Sequence, residues 1–200
     1  MKAVLISIKP KRCELIASGK KTVEARKTKP KLETPFKCYI YCTQATPYNP
    51  VLPMRYEKEG GNIYTGGKRY AEFLTGKVIG EFVCDRIDEI EYSPEMHGKY
   101  ISNIKNLHEV SCVDFERMFD YIADGYGYAW HISDLVIYDK PKELSEFKKA
   151  GFLTEEEWLA YLYPNTHCHY EAWAKKYDIT RPPQSWCYVD ELTEKGGADK

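Results

Sequence analysis

The sequence predicts an α+β domain: a small, mixed, largely antiparallel β-barrel or curved sheet flanked by helices, with a loop insertion and an added helical segment. Three observations lead there. Apolar runs of strand length stand near both ends of the 200-residue chain. Helical patterns fall between them without the regular βα alternation that a doubly wound parallel sheet requires. Finally, 43% hydrophobic and 14% aromatic residues supply one real core, and the length suits a single domain carrying insertions.

Residues 2–8 are an apolar run ended by Pro10, a strand by length. From Lys11 to Ser18 the positions of Cys13, Ile16 and Ala17 have helical spacing, and Gly19 follows as the left-handed residue that closes a helix. Lys21 to Lys27 alternates, so Thr22, Glu24 and Arg26 face one side of an extended strand and Lys21, Val23, Ala25 and Lys27 the other. Pro30 and Pro35 bracket a loop before a strand over Lys37 to Thr43, with Tyr39 and Tyr41 opposed to Cys38, Ile40 and Cys42. Eight Pro and Gly residues then break the rhythm over residues 44–76, a long insertion that interleaves Tyr48, Tyr56, Tyr64 and Tyr70 with Arg55, Lys58, Lys68 and Arg69.

Lys77 to Ile90 is β-rich, Val113 to Ala123 is helical with Phe115, Met118, Phe119 and Ile122 on one stripe, and Tyr128 to Tyr138 is again strand-like. Three helical patterns follow Pro141. The clearest opens with a capping box, Thr154 and Glu157, ahead of Trp158, Leu159 and Leu162; another spans His167 to Tyr177. Ser185 to Leu192 supplies the last strand. The whole is read as one domain over 1–192 with a disordered tail at 193–200.

Charge is distributed unevenly. Residues 1–69 hold fifteen Lys and Arg against five Glu and no Asp, a balance of +10 inside a chain of net charge −1. Such asymmetry fits a face that meets a polyanion, or cations of the first third paired with acids of the rest. No stretch has the roughly 18 apolar residues of a membrane span, and the N-terminal run is too short for a signal peptide. The expectation is a cytoplasmic protein with no membrane partner. Seven cysteines, none in a CxxC pair, read as reduced thiols, mostly buried. His167, Cys168 and His169 occupy successive helical positions that do not share a face, and no second paired motif exists, so no metal site and no cofactor is predicted. Ser7 and Ser185 lack visible His and Asp partners for serine hydrolysis.

The densest polar constellation is Gly19-Lys20-Lys21-Thr22-Val23-Glu24-Ala25-Arg26. Glycine allows a sharp exit from the helix, and the strand then presents a carboxylate and a guanidinium on one face. Arg26 offers a planar donor fork to phosphate, Glu24 accepts from an amine, and Lys21 holds a phosphate or, once desolvated, acts as a base. A plain Glu24–Arg26 ion pair is the structural alternative. Trp130 and His131 are candidates to stack a base and donate to a phosphate.

Gly19, Lys21, Glu24 and Arg26 fill the G-x-K-x-x-E-x-R signature, by which the chain resembles the ASCH domains of the PUA-like superfamily, in their phage and bacterial form. Leu5 to Pro10, Val78 to Phe82, Tyr128 to Asp134 and Pro182 to Trp186 are also similar to that family. The resemblance covers roughly 1–43, 77–138 and 180–192, leaving 44–76 and 142–179 as additions. It implies a PUA-like barrel whose cleft is lined by the signature, in a family thought to bind RNA or other nucleic acid. Some members are enzymes. One branch hydrolyses N4-acylated cytidines with a lysine, a threonine and a glutamate, and another member is reported as a ribonuclease. Here the lysine is Lys21, Glu24 stands where the threonine would be, Thr22 lies one alternation earlier, and the branch's glutamate has no match.

Three expectations follow. The first is RNA or modified-nucleotide binding, with Lys9, Arg12, Lys20, Lys21, Lys27 and Lys29 on phosphates and Glu24, Arg26, Trp130 and His131 on the base or its phosphate. The second is a hydrolase with Lys21 and Glu24 as acid and base. The third is a protein-interaction adaptor that docks through 142–179.

Overall fold

The computed structural model describes residues 1–44, 54–56, 63–65, 75–93, 99–122, 125–161 and 170–192. The chain opens as predicted: strand β1 (Lys2–Ile8), helix α1 (Pro10–Ala17) and strand β2 (Val23–Arg26). Proline at the first helical position loses no hydrogen bond, and Gly19 at φ +71° turns the chain so that Lys21 N donates to Leu15 O at 2.9 Å.

Next come β3 (Phe36–Cys42), β4 (Met54–Tyr56), β5 (Ile63–Thr65), β6 (Lys77–Cys84), β7 (Ile87–Ser93) and β8 (Lys99–Ile101). Helices α2 (Leu107–Ser111) and α3 (Phe115–Tyr121) precede β9 (Tyr126–His131) and β10 (Ser133–Lys142). Helices α4 (Glu155–Tyr161) and α5 (Tyr170–Ala174) lead to β11 (Trp186–Asp190).

Among the described residues the two larger sheets have the orders β10-β6-β3-β1-β11 and β2-β9-β7-β8. Among the described strands only β1 and β3 pair in parallel, since α1 and β2 make the crossover between them; β11 closes back antiparallel on β1. The chain passes between sheets at two corners, Cys84 to Ile87 and His131 to Ser133, where backbone bonds from His131 N to Arg86 O (3.0 Å) and from Ile132 N to Thr22 O (3.0 Å) bridge the turn. The strands described thus face each other across a shared core as a cornered pair of sheets.

That core holds Val4, Ile6, Ile8, Cys38, Ile40, Cys42, Phe82 and Trp130, with Cys13 and Ile16 of α1. A second cluster, built on Leu5, Tyr39 and Tyr41, lies on the other face of the five-stranded sheet beneath Phe147 and Ile179. A third joins Val23, Ala25, Ile90 and Ala129 to Leu107, Met118 and Ile122 of α2 and α3. The predicted opposition of Tyr39 and Tyr41 to Cys38, Ile40 and Cys42 is therefore the division between the first two clusters.

Several elements differ from the sequence expectation. The β-rich run from Lys77 is two strands split at the corner, as is the run that includes Tyr128 to Tyr138. On α3, Met118 and Ile122 are buried, whereas Phe115 and Phe119 remain 40% and 43% exposed. Within the insertion, β4 and β5 form an antiparallel ribbon. Tyr48, Lys58, Lys68, Arg69, Tyr70, the tail at 193–200 and the His167-Cys168-His169 run lie outside the described residues. Among those described, no helix is long and apolar enough to cross a membrane. Cys13, Cys38, Cys42 and Cys84 are buried free thiols. Burial pushes Cys13 and Cys38 well up and Cys84 up to about 12, which leaves them protonated and unreactive.

Candidate functional site

The signature residues meet, but inside the protein. All four residues of β2 are buried, because one face packs on α2 and α3 and the other on the inter-sheet core. Glu24 lies opposite Trp130 and Arg26 opposite Tyr128 in the β2–β9 ladder, so all four side chains project toward that core. The carboxylate of Glu24 is gripped from both sides: Oε1 is 3.0 Å from an Arg26 terminal nitrogen and Oε2 is 3.0 Å from Lys21 Nζ. Side-chain exposures of 0%, 4% and 7% for Lys21, Glu24 and Arg26 make this a closed chain of charges. The sequence reading sets them along a cleft; in the structure they are enclosed. An alternating strand covered on one face only would line one; this one is covered on both.

The chain of charges ties distant segments together. Lys21 Nζ donates to Val23 O and to Ser111 O at 2.7 Å each. Arg26 donates to Ser7 O at 2.7 Å and to Ser185 Oγ at 3.2 Å. One carboxylate and two cations therefore fasten β2 to the end of β1, to α2 and to the segment entering β11. Arg26 Nε, Ser111 Oγ and Trp130 Nε1 are buried without a hydrogen-bond partner among the described residues.

Electrostatically, burial would raise the Glu24 carboxyl, but the charges of Lys21 and Arg26 outweigh it and hold it below the usual range. Burial dominates for Lys21 and lowers its pKa against the pull of Glu24. Arg12, half-exposed on α1, lies close enough for its charge to act on both. Lys9, Lys20, Lys27 and Lys29 are exposed around this region of the chain, and Lys29 reaches Glu89 at 3.2 Å.

Trp130 is corrected to a core residue. It is 0% exposed and packs edge-on against Phe36, with ring centroids 5.9 Å apart, and against Trp186, also at 5.9 Å. No face of its indole is free for a base. His131, the next residue along β9, points the other way, as strand alternation demands. It stands 2.7 Å from Asp88 Oδ2, and Arg86 holds the same carboxylate oxygen from 3.0 Å. His131 Nε2 is within hydrogen-bond distance of both Asp88 and Arg86, on the face of β9 opposite Trp130, so the two rings do not face one ligand together. Ser7, Ser111, Ser185, Arg86 and Asp88 complete these two clusters, and no local pattern in the sequence singles them out as partners.

The fold and site define an α+β domain of two cornered sheets pinned by a buried Lys-Glu-Arg chain. No family model matches the sequence, and no curated protein matches it. Solved structures do. A crystal structure of ASCH from Zymomonas mobilis is 17% identical, covers 94% of this chain and 88% of its own, and gives a TM-score of 0.48. A serine-to-alanine variant of the same Zymomonas mobilis protein is 16% identical, covers 94% of this chain and 89% of its own, and gives 0.52. The chain has the fold of an ASCH domain.

Proposed function

We propose that this ASCH-type domain binds RNA, or a nucleotide with a modified base, on the cationic surface around Arg12, Lys9 and Lys20. One observation carries the reading. Three cations, Lys21, Arg26 and Arg12, bear on the single buried carboxylate of Glu24, so the region keeps a surplus of positive charge after internal pairing. A surplus held partly in low dielectric projects a field that surface counter-ions screen only in part. Lys9 and Lys20 extend it outward, and Lys27 continues it beyond β2. In this reading Glu24, Arg26 and Lys21 set the position and potential of the surface, and the exposed cations touch phosphate.

Fluorescence anisotropy with a labelled single-stranded RNA at several salt concentrations tests it. The logarithm of affinity falls linearly with that of salt, by about 0.7 per phosphate neutralised. Replacing Lys9, Arg12 and Lys20 together by alanine flattens the slope by about 2 if each meets one phosphate. Binding indifferent to salt, or unchanged in the triple variant, overturns the proposal.

A hydrolase is the second reading, favoured by the depressed pKa that burial gives Lys21, the direction a general base at neutral pH requires. Incubation with N4-acetylcytidine and with single-stranded RNA decides it. Absence of product above buffer removes this reading; product that disappears in Lys21→Ala and Glu24→Gln variants retaining their fold sustains it.

A further inference from the structure

A second cationic concavity lies away from the signature, at the outer edge of the five-stranded sheet. It is a cavity of about 550 Å³ between β11, the segment at Lys149–Ala150 and the stretch from Asp178 to Pro183. We propose that it is a binding site for a phosphate monoester of mononucleotide size. The volume falls within the roughly 300–1,000 Å³ of small-ligand pockets.

The charges favour an anion. Lys2, Lys149 and Arg181 line the cavity, against the one carboxylate of Asp178, which is already ion-paired to Lys148. Asp190, the cross-strand neighbour of Lys2, is likewise occupied: its carboxylate accepts from Gly151 N at 3.2 Å and Phe152 N at 2.8 Å. Lys149 Nζ donates once, to Lys176 O at 3.1 Å, and keeps two protons for a ligand. Arg181 is exposed, has no ion pair among the described residues, and presents a fork that matches phosphate.

The remaining walls favour a ring. Ile179 and Tyr188 give apolar surface, and Lys2 Nζ stands over one face of the Tyr188 ring, 5.3 Å from its centre. Tyr188 is fixed in place because its hydroxyl accepts from Lys31 N at 2.6 Å. Phosphate at Lys149 and Arg181 with a planar ring toward Tyr188 satisfies both halves of the cavity.

The site shares no residue with the RNA surface proposed above, so either assignment can fail alone. Calorimetric titration of the full chain with adenosine 5′-monophosphate, adenosine and inorganic phosphate tests it. The monophosphate binds, inorganic phosphate binds more weakly, and adenosine does not bind measurably. Substituting Lys149→Ala together with Arg181→Ala weakens the monophosphate about tenfold or more, while Lys105→Ala, at an exposed lysine outside both surfaces, leaves it unchanged. No heat with the monophosphate at millimolar concentration, equal binding of adenosine, or an unaltered affinity in the double variant overturns the site. Inorganic phosphate binding as tightly as the monophosphate overturns the role of the ring wall.

Discussion

At the scale of the residue, Glu24 decides most. Taking three charged side chains out of water is costly, and the arrangement is sustained only because each charge finds an opposite charge or a carbonyl within about 3 Å. Removing the central anion strands two buried cations. Glu24→Gln is therefore expected to lose about 3–5 kcal/mol of stability in urea unfolding, the range for breaking one partner out of a buried pair. Acid unfolding reads the same residue. Because the folded-state pKa of Glu24 is lowered from the ordinary 4.5, its contribution is complete above that value and is lost as pH falls through the folded value below it. The wild-type melting temperature should thus drop more steeply than that of Glu24→Gln as the pH falls below 4.5; parallel curves would contradict the assignment. Trp130 illustrates the limit of sequence reading at this scale. Alternation places it on the same face as Glu24, yet only the second sheet closing overhead turns that face into an interior.

At the scale of the element, periodicity made β1, α1, Gly19, β2 and β11 readable, because each carries its own signal within a few residues. Thr154 and Glu157 form the expected reciprocal cap, with Glu157 N 3.2 Å from Thr154 Oγ1 and Thr154 N 2.8 Å from Glu157 Oε2. Helix α2 was not readable. It has five residues, starts from Asn106 at φ +56° and has no room to show a helical repeat. Nor was its role, since Lys21 reaches Ser111 across ninety positions of sequence. Gly80 is a case where an element's geometry dictates one residue. A Cβ there would stand 2.3 Å from Val136 O, where β10 crosses β6 at a register shift. Gly80→Ala must push β10 outward, at about 1–3 kcal/mol, and hydrogen exchange of amides in β10 should quicken selectively. Unchanged exchange there would show that the crossing has slack.

At the scale of the whole molecule, the uneven charge resolves into two populations. Lys29 with Glu89 and Lys37 with Glu81 are cross-sequence pairs of the kind that merely balance the account. The exposed cations near α1 and the Lys2–Lys149–Arg181 group are not balanced in this way. The prediction at this scale is ionic: thermal stability should vary only modestly with salt, since the decisive pair at Glu24 is buried, whereas affinity for RNA should fall steeply. Equal sensitivity of both would mean that surface pairing, not ligand attraction, explains the asymmetry.

The pairing of β1 with both β3 and β11 carries a temporal implication. A ribosome delivers β1 long before its antiparallel neighbour β11, and long before Ser185, which holds the Arg26 guanidinium. Until then a nascent chain exposes one flank of its most apolar strand and keeps an uncompensated anchor point. Vectorial synthesis therefore leaves the decisive stitch until β11 emerges, and an arrested chain lacking Trp186 to Asp190 should be protease-sensitive throughout, where one in which Leu192 has cleared the ribosome is protected.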